Sequence, residues 1–284
     1  MNNTKHQVVI GDSTNMKELE DESAQLVVTS PPYFNAPFDY EGFYSNYEKY
    51  KERMDKSARE IFRVMDEGRI VCIVCDDMLV DGEKFPVVAD LSRIFMEAGF
   101  DYRDKIIWKK PDGYVRFSRR SGVLLQNPYP MYFYPDNLQE TILILQKGKF
   151  DYSTISEEVR EESKINTDQF QEEGWYKTVW NITNVLPTQG RIEEDVAAFP
   201  PEIPRRLIKL FSYKGETVLD PYLGSGTTAK VALNLGRNSA GYEINKNFLS
   251  KIKQKLGVNS KDLFNEKTEF TVEVREDSIE YDPP

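Results

Sequence analysis

Short apolar runs alternate along the chain with longer amphipathic stretches. The apolar runs have the length and residue types of buried strands, and they are HQVVIGD, AQLVVTS, RIVCIVCDD, DKIIWKK, ETILILQKG, ETVLD and SAGYEI. Helical patterns lie over residues 47–65, in FPVVADLSRIFMEAGF up to Gly99, over residues 202–212 and in TTAKVALNLG. Because such alternation is typical of βα units, it predicts an α/β fold with a mostly parallel, twisted sheet and helices on both faces.

One long segment breaks this alternation. Residues 111–180 hold a long connection rich in proline, glycine, arginine and aromatic residues, a returning strand at 140–148 and an acidic stretch with one predicted charged helix. We expect the returning strand to pair with the strand at 106–109. Loops of this length inside a compact domain are usually functional or disordered. We therefore predict one domain made of residues 1–110 and 181–256, with an insert at 111–180.

The end of the chain forms a further predicted segment. Residues 257–284 are an acidic extension, in which TEFTVEVRED alternates in the way expected of one edge strand. We expect this acidic run, and the one at 153–173, to be solvated faces.

The composition limits the class of protein. Hydrophobic residues make up 39% and charged residues 30% of the chain, and no apolar run approaches the roughly 18–20 residues that cross a bilayer. The first residues, MNNTKHQVVIGD, lack the basic and apolar pattern of a secretory signal. We expect a cytoplasmic protein that does not contact a membrane.

Cysteine and histidine offer little material for metal or nucleophilic chemistry. Cys72 and Cys75 are three residues apart on one predicted strand, so they point to opposite faces and are expected to be buried thiols. His6 is the one histidine in the sequence, and we expect it to be solvated near the chain end. The residues therefore predict no metal site.

Positive charge is concentrated in one segment of an acidic chain. The formal net charge is −10, yet residues 103–120 hold seven basic residues against two acids. Lys109, Arg116, Arg119 and Arg120 lie in this segment, and the aromatic run NPYPMYFYPDN follows it. Arginines beside aromatic rings suit phosphate contacts, base reading and stacking, which predicts a DNA-binding surface. The alternative is a solvated basic loop packed by its own tyrosines.

A glycine turn flanked by acids predicts a cofactor site. In VLDPYLGSGTTAKVALNLG a strand ends at Asp220, and a turn with Gly224 and Gly226 leads into a helix at Thr227. No lysine follows the glycines as in a phosphate-binding loop, and Asp220 would repel a pyrophosphate. Glu243 ends the next strand, where such folds place a carboxylate on ribose hydroxyls. S-adenosylmethionine has hydroxyls and cationic groups and fits both acids; the alternative is a glycine helix start with two surface acids.

Together, TSPPY at 29–33 and DPYLGSGTT at 220–228 resemble the β-class of amino DNA methyltransferases. The motifs VIGDSTNM, LVVTSPPY, VWNI, AAFPPEIPRRLIKLFSYKGETVLDPYLGSGTT and GYEIN occur in that family's order over most of the chain. The resemblance implies a Rossmann-like methyltransferase fold that is circularly permuted. Residues 1–110 would be the catalytic half, 181–256 the cofactor-binding half and 111–180 a target-recognition region.

The resemblance also implies the cofactor contacts. Asp12 would bind the adenine amine, Glu243 the ribose and Asp220 the methionine part. The full implied set is Asp12, Phe199, Pro200, Asp220, Pro221, Tyr222, Gly224, Ser225, Gly226, Thr227 and Glu243. The family often has a histidine ahead of the FP pair, and here Asp195 and Val196 take those places.

The SPPY motif at Ser30, Pro31, Pro32 and Tyr33 is the predicted catalytic element. An exocyclic base amine is a poor nucleophile, and acceptors for its two hydrogens would turn its lone pair toward the methyl group. By resemblance, these acceptors are the Ser30 side chain and the Pro31 carbonyl. Proline fixes the backbone and brings no N–H donor, which is electrostatic preorganisation.

Tyr33 would stack on a target base flipped out of the duplex. The bland alternative for the motif is a strand-ending turn with an exposed tyrosine. Methylation at cytosine C5 needs a cysteine nucleophile, usually after proline, and neither cysteine here follows one.

The serine in this motif favours N4 of cytosine, as in the family members that carry it, with N6 of adenine as the alternative. An RNA or protein methyltransferase and a binding subunit without catalysis are further alternatives. The expected partners are duplex DNA, a cognate restriction endonuclease in a restriction-modification system and, if the protein is a homodimer, a second copy of the chain.

Overall fold

The computed structural model describes residues 4–35, 43–111, 122–133, 135, 138–183, 199–258 and 268–280. The strands in these ranges are β1 Thr4–Ile10, β2 Ala24–Thr29, β3 Met65–Cys75, β4 Met78–Val80, β5 Glu83–Phe85, β6 Asp101–Lys109, β7 Gln139–Gln146, β8 Val179–Asn181, β9 Thr217–Asp220, β10 Asn238–Glu243 and β11 Thr268–Val274. The helices are α1 Tyr47–Val64, α2 Val87–Glu97, α3 Gly122–Gln126, α4 Glu157–Glu162, α5 Thr167–Glu172, α6 Glu202–Phe211, α7 Thr227–Asn234 and α8 Phe248–Leu256, with a 3₁₀ turn at Tyr152–Thr154.

Nine of these strands form one sheet in the order β11-β1-β10-β9-β2-β3-β7-β6-β8, and β4 pairs with β5 in a separate hairpin. All neighbours from β11 to β3 are parallel, as are β6 and β8, whereas β7 runs antiparallel to both β3 and β6. The predicted mostly parallel sheet is confirmed. The circular permutation stays a prediction, because it is a relation to the strand order of other proteins.

The carboxyl ends of β1, β10, β9, β2, β3 and β6 share one edge of the sheet, together with the beginning of β7. We call this the carboxyl edge. Ligands of open α/β sheets bind outside the carboxyl ends of the strands. The edge brings residues from both predicted halves of the domain together, because β2 and β9 are neighbours although they are far apart in the chain.

Helices cover both faces of the sheet, as predicted. The apolar residues of α1 and α2 pack on one face, and those of α6 and α7 pack on the other, where α8 joins them at the β1 side. Cys75 belongs to the first layer and Cys72 to the second, so the two buried thiols point to opposite faces as expected. Each sheet face therefore has its own apolar layer.

Pairing within the insert is partly predicted by the sequence. The returning strand β7 pairs with β6, with Ile142 opposite Ile106 and Gln139 opposite Lys109, which confirms the expected pairing. The short strand β8, which contains most of the VWNI motif, was not predicted as a strand and adds to the outer side of β6. The expected edge strand in TEFTVEVRED is β11, which pairs in parallel with β1.

Two sequence-based expectations are wrong in the structure. The acidic stretch forms two short helices, because the side chains of Ser156 and Asn166 each cap a separate helix start, instead of one charged helix. His6 is 2% exposed, not solvated, because β10 and β11 flank it in the sheet. Its Nδ1 lies 2.8 Å from the Ser239 hydroxyl, and burial, assisted by Lys230, lowers the pKa of His6 to about 4.

Two further observations concern the described ranges only. No helix in them is both long enough and apolar enough to cross a membrane. Nor do they bring three or more histidine, cysteine, aspartate or glutamate side chains together in an arrangement that could hold a metal ion.

Candidate functional site

One hydrogen bond joins the two predicted motifs at the carboxyl edge. Thr29 is the last residue of β2, and its hydroxyl donates to Oδ1 of Asp220, the last residue of β9, at 2.6 Å. The two residues are 191 positions apart in the chain. Since Ser30 follows Thr29 directly, the SPPY motif begins beside the acid that opens the glycine turn.

Asp220 is a buried acid with a perturbed pKa. It is 3% exposed, and its Oδ1 also accepts from the Tyr222 backbone N–H at 3.2 Å. Burial raises the pKa of Asp220 to about 6, against the opposing effect of hydrogen bonds from Thr29, Thr228 and Tyr222. A cation bound beside this carboxyl group would favour its ionised form. The site therefore offers a place for a positively charged ligand group.

The turn after Asp220 needs its glycines. Gly224 and Gly226 have φ angles of +52° and +88°, in the left-handed region that glycine adopts at little cost. Gly226 donates its N–H to the Leu223 carbonyl at 2.8 Å and begins α7. Gly241 on β10 leaves room for this turn, since a Cβ there would lie 2.7 Å from Cδ1 of Leu223. The backbone of the turn is thus set by three glycines.

Glu243 holds the same turn from the neighbouring strand. Its carboxylate accepts from the Gly224 N–H at 2.8 Å through Oε2 and from the Asn245 N–H at 2.9 Å through Oε1. Glu243 is 5% exposed and Asp220 is 3% exposed. The alternative of two surface acids at a glycine helix start is therefore wrong.

A lysine reaches the turn from α8. Lys255 donates to the hydroxyls of Ser225 and Thr227 at 2.7 and 3.0 Å. The sequence motif calls for a lysine directly after the glycines, and this one was not predicted because it lies 30 positions after Ser225, near the end of α8. No local pattern in the sequence links this lysine to the turn.

Asp12 lies beyond the end of β1 and contacts α1. Its Oδ1 accepts from the Thr14 N–H and from Arg53 Nη2, each at 2.8 Å. The Arg53 guanidinium also lies 5.3 Å from the centre of the Phe43 ring. Arg53 was not predicted as a site residue, and the structure makes it the partner that orients the acid predicted to bind adenine.

The remaining predicted cofactor residues are partly structural. Pro221 is buried, and Tyr222 donates its hydroxyl to Ser57 of α1 at 2.7 Å. Phe199 and Pro200 are buried just before α6, where Phe199 packs in the apolar layer under that helix. Asp195 and Val196 lie outside the described residues.

Tyr33 is not the exposed tyrosine of the bland alternative. It is 6% exposed, and its hydroxyl donates to Glu140 Oε2 at 2.8 Å. Glu140 Oε1 lies 2.5 Å from Nζ of Lys110, and the side chains of this pair are 7% and 1% exposed. Lys110, which contributed to the predicted positive charge of the DNA-binding segment, is instead buried with Glu140.

The predicted DNA contacts are only partly within the described residues. Lys109 ends β6 and is half-buried, whereas Arg116, Arg119 and Arg120 lie outside the described residues. Just beyond them, large apolar side chains are exposed to solvent; the most exposed are Leu125, Tyr129, Met131 and Phe133, at 84, 66, 92 and 67%. Met131 also has a φ angle of +78°, which is rare for a residue other than glycine.

Comparisons with known proteins show the family of the chain. The family model described as a DNA methylase, of the N6 and N4 type, matches residues 24–254. Type II methyltransferase M.MjaI of Methanocaldococcus jannaschii is 34% identical over 289 residues, covering 91% of this chain and 93% of that protein. Type II methyltransferase M.MthZI of Methanothermobacter thermautotrophicus is 32% identical over 89% of this chain and 77% of its own length.

Solved structures show the same fold. TTHA0409 of Thermus thermophilus, assigned as a DNA modification methylase and solved with S-adenosyl-L-methionine, is 28% identical, with a TM-score of 0.71 over 95% of this chain and all of that one. The cytosine-N4-specific PvuII DNA methyltransferase is 15% identical, with a TM-score of 0.64 over 98% of this chain and 99% of its own, and shows the fold alone. The chain therefore belongs to the DNA methylase family of N6 and N4 amino methyltransferases, whose methyl donor is S-adenosylmethionine.

Proposed function

We propose that this DNA methyltransferase transfers the methyl group to N4 of cytosine, directly and on a base flipped out of duplex DNA. The observation that carries the proposal is the hydrogen bond between Thr29 and Asp220. It supports the proposal because Ser30 and Pro31 follow Thr29 directly. An amine held by the Ser30 hydroxyl and the Pro31 carbonyl would then face a methyl donor held by the glycine turn.

The residues around the turn fit S-adenosylmethionine. Asp220 is a buried acid whose pKa of about 6 allows a cationic group to favour its ionised form, and Glu243 brings a second carboxylate at the next strand end. Asp12 and Arg53 add a polar pair at the end of β1. We infer that Asp220 takes the ammonium end of the cofactor, Glu243 its ribose hydroxyls and Asp12 its adenine amine. Bound there, the cofactor supplies an activated methyl group.

The chain's own part in the reaction is to hold the amine. Ser30 is half-buried and Pro31 is buried, so the Ser30 hydroxyl and the Pro31 carbonyl are partly shielded from solvent. Accepting both amine hydrogens there turns the nitrogen lone pair toward the methyl group without any covalent step on the base. The serine supports cytosine over adenine, because family members with serine in this motif mostly modify cytosine N4.

The segment at residues 122–133 is proposed to face the DNA. It follows the arginines at 116, 119 and 120 in the sequence, and it exposes Leu125, Tyr129 and Met131. Apolar wedges and aromatic faces of this kind insert between bases or stack on them. The type II names of the relatives support a role in restriction-modification, with an endonuclease of the same specificity as a partner.

Product analysis tests this proposal. The protein is incubated with methyl-labelled S-adenosylmethionine and with duplex DNA, RNA or a protein mixture in separate reactions. We expect label in duplex DNA alone, and nuclease digestion should release it as N4-methylcytosine. Release as N6-methyladenine would replace cytosine by adenine, and label in RNA or protein would overturn the choice of DNA.

A further inference from the structure

Beneath the predicted base platform lies a buried ion pair that the reaction itself does not use. The pair is Lys110 and Glu140, at the end of β6 and the beginning of β7, both at the carboxyl edge. It contacts the SPPY motif through Tyr33, whose hydroxyl donates to the second oxygen of the same carboxylate, Oε2. We propose that Lys110 and Glu140 are positioning residues that fix the ring of Tyr33 for the incoming base, an inference that rests on the proposed function.

The sheet itself holds the pair in place. Glu140 lies opposite Trp108 in the ladder between β6 and β7, and the Lys110 N–H donates to the Leu138 carbonyl at 2.9 Å. The Lys110 ammonium lies 5.0 Å from the centre of the Trp108 ring, and the indole N–H of Trp108 donates to Ile182 at 2.9 Å. The paired strands therefore restrain both charged side chains. Side chains restrained in this way can in turn fix the position of Tyr33.

The pair is a poor means of stabilising the fold. Removing two charges from water costs several kcal/mol per ion. A protein with apolar residues of similar volume in place of a buried ion pair is often just as stable. A role in fixing one conformation explains the pair better than a role in stability. An ionised carboxylate only accepts hydrogen bonds, so Glu140 can hold Lys110 on one oxygen and the Tyr33 hydroxyl on the other.

The consequence is a ring with little freedom. The rigid backbone after Pro31 and Pro32 fixes Tyr33 at one end, and the charge-assisted hydrogen bond to Glu140 fixes it at the other. Rotation about the long axis of the ring is the motion that remains. Tyr33 is also 6% exposed, so packing restrains most of the surface of the ring.

Five variants separate positioning from stability. Tyr33→Phe removes the hydroxyl and keeps the ring, and the double variant Lys110→Met with Glu140→Leu removes both charges without leaving one unpaired. The combined triple variant measures their coupling. Lys110→Met with Glu140→Gln keeps an acceptor for the Tyr33 hydroxyl, leaves no buried charge unpaired and serves as the conservative rescue. Glu216→Gln is the matched control, because Glu216 forms a 2.7 Å ion pair with Arg69, also little exposed, at the other edge of the sheet.

The readouts are melting temperature, cofactor affinity, and kcat and KM for a duplex DNA that the wild-type protein methylates. We expect Tyr33→Phe and the double variant each to raise KM for DNA roughly three- to tenfold, the size of one charge-assisted hydrogen bond partly lost. The triple variant should be no worse than either. Cofactor affinity should not change. Lys110→Met with Glu140→Gln should have a KM for DNA between that of wild type and that of Lys110→Met with Glu140→Leu, and Glu216→Gln should change stability alone.

Two results would overturn the inference. One is a double variant with the DNA KM of the wild type, since the pair would then be structural. The other is a triple variant whose effects add, since Tyr33 and the pair would then act separately. Failure of the proposed function looks different: the wild-type protein itself would not methylate duplex DNA.

Discussion

At the residue scale, Asp220 combines a cost to folding with a role in binding. Its pKa in the folded protein, about 6, lies above its ordinary value of 3.8. The folded state therefore binds more protons than the unfolded state between these values, and the free energy of unfolding falls as pH rises through that interval. Above about pH 6 Asp220 is charged in both states, and the free energy of unfolding is lowered by the full cost of burying that charge.

Replacing this acid by an amide should stabilise the cofactor-free protein. We expect Asp220→Asn to have a higher free energy of unfolding than wild type at about pH 7–8, by an amount on the order of 1–3 kcal/mol, because no charge is buried. The difference should shrink toward about pH 4, where the carboxyl group is protonated in the folded protein. Urea unfolding at several pH values measures it, and a pH-independent difference would contradict the assignment.

The same carboxyl group should make cofactor binding depend on pH. A cationic ligand group favours ionised Asp220, so the affinity of the wild type for S-adenosylmethionine should rise from about pH 5 to about pH 7 and then level off. Asp220→Asn should bind at least about tenfold more weakly at about pH 7, the effect of losing one charge interaction of about 1.4 kcal/mol. Calorimetry decides this, and wild-type affinity in the variant would remove Asp220 from the site.

At the element scale, the glycine turn depends on the strand beside it. A Cβ at Gly241 would lie 2.7 Å from Leu223 Cδ1, and Leu223 belongs to the turn. We expect Gly241→Ala to displace the turn, to lower stability by about 1–3 kcal/mol and to weaken cofactor binding severalfold.

Gly215→Ala is the matched control for that substitution. A Cβ at Gly215 would have nothing within 4 Å, so it would displace no neighbour. The φ of Gly215 is +80°, so alanine there would strain the backbone only. It should lower the melting temperature without changing cofactor affinity. Equal loss of cofactor affinity in both variants would mean that general destabilisation, and not the turn, is being measured.

Most elements could be predicted because their signals are local. The glycines at 224 and 226 and the alternation in ETVLD and SAGYEI lie within a few residues of the structure they specify. β8 was missed because three residues carry too little pattern, and its pairing with β6 depends on residues far away. His6 was misjudged for the same reason, since the strands that flank it, β10 and β11, come at the far end of the chain.

The motifs allow site residues such as Ser30, Asp220 and Glu243 to be predicted, but not the contacts that these residues make. The hydrogen bond from Tyr33 to Glu140 spans 107 residues, and Lys255 reaches Ser225 from α8. Such contacts are set by the order of strands in the sheet, which no local pattern contains.

At the scale of the whole molecule, DNA binding must overcome an acidic chain. The net charge of −10 repels a duplex, so we expect attraction to depend on the basic segment that contains Arg119 and Arg120. The double variant Arg119→Ala with Arg120→Ala should bind DNA more weakly and lower the slope of log K against log salt by about 1–2. Cofactor affinity should not change.

The control for this charge removal is Lys5→Ala with Lys164→Ala. Both lysines are exposed, at 75 and 72% of their side chains, and lie outside the basic segment. This control variant removes the same net charge as the double arginine variant, so the overall electrostatic field of the protein changes equally in both. An equal fall in the salt slope for both double variants would mean that net charge, and not a local contact, determines DNA binding.

Ser30 is proposed to hold the reacting amine beside the cofactor turn, and single-turnover methyl transfer by Ser30→Ala measures this role. Ser92→Ala is the control, because the Ser92 hydroxyl donates within α2 to Val88. With enzyme and labelled cofactor in excess over duplex DNA, we predict a rate on the order of 10²–10³ below wild type, the usual cost of losing one preorganised group, with unchanged cofactor affinity. Methyl transfer at the wild-type rate in Ser30→Ala would remove Ser30 from the reaction.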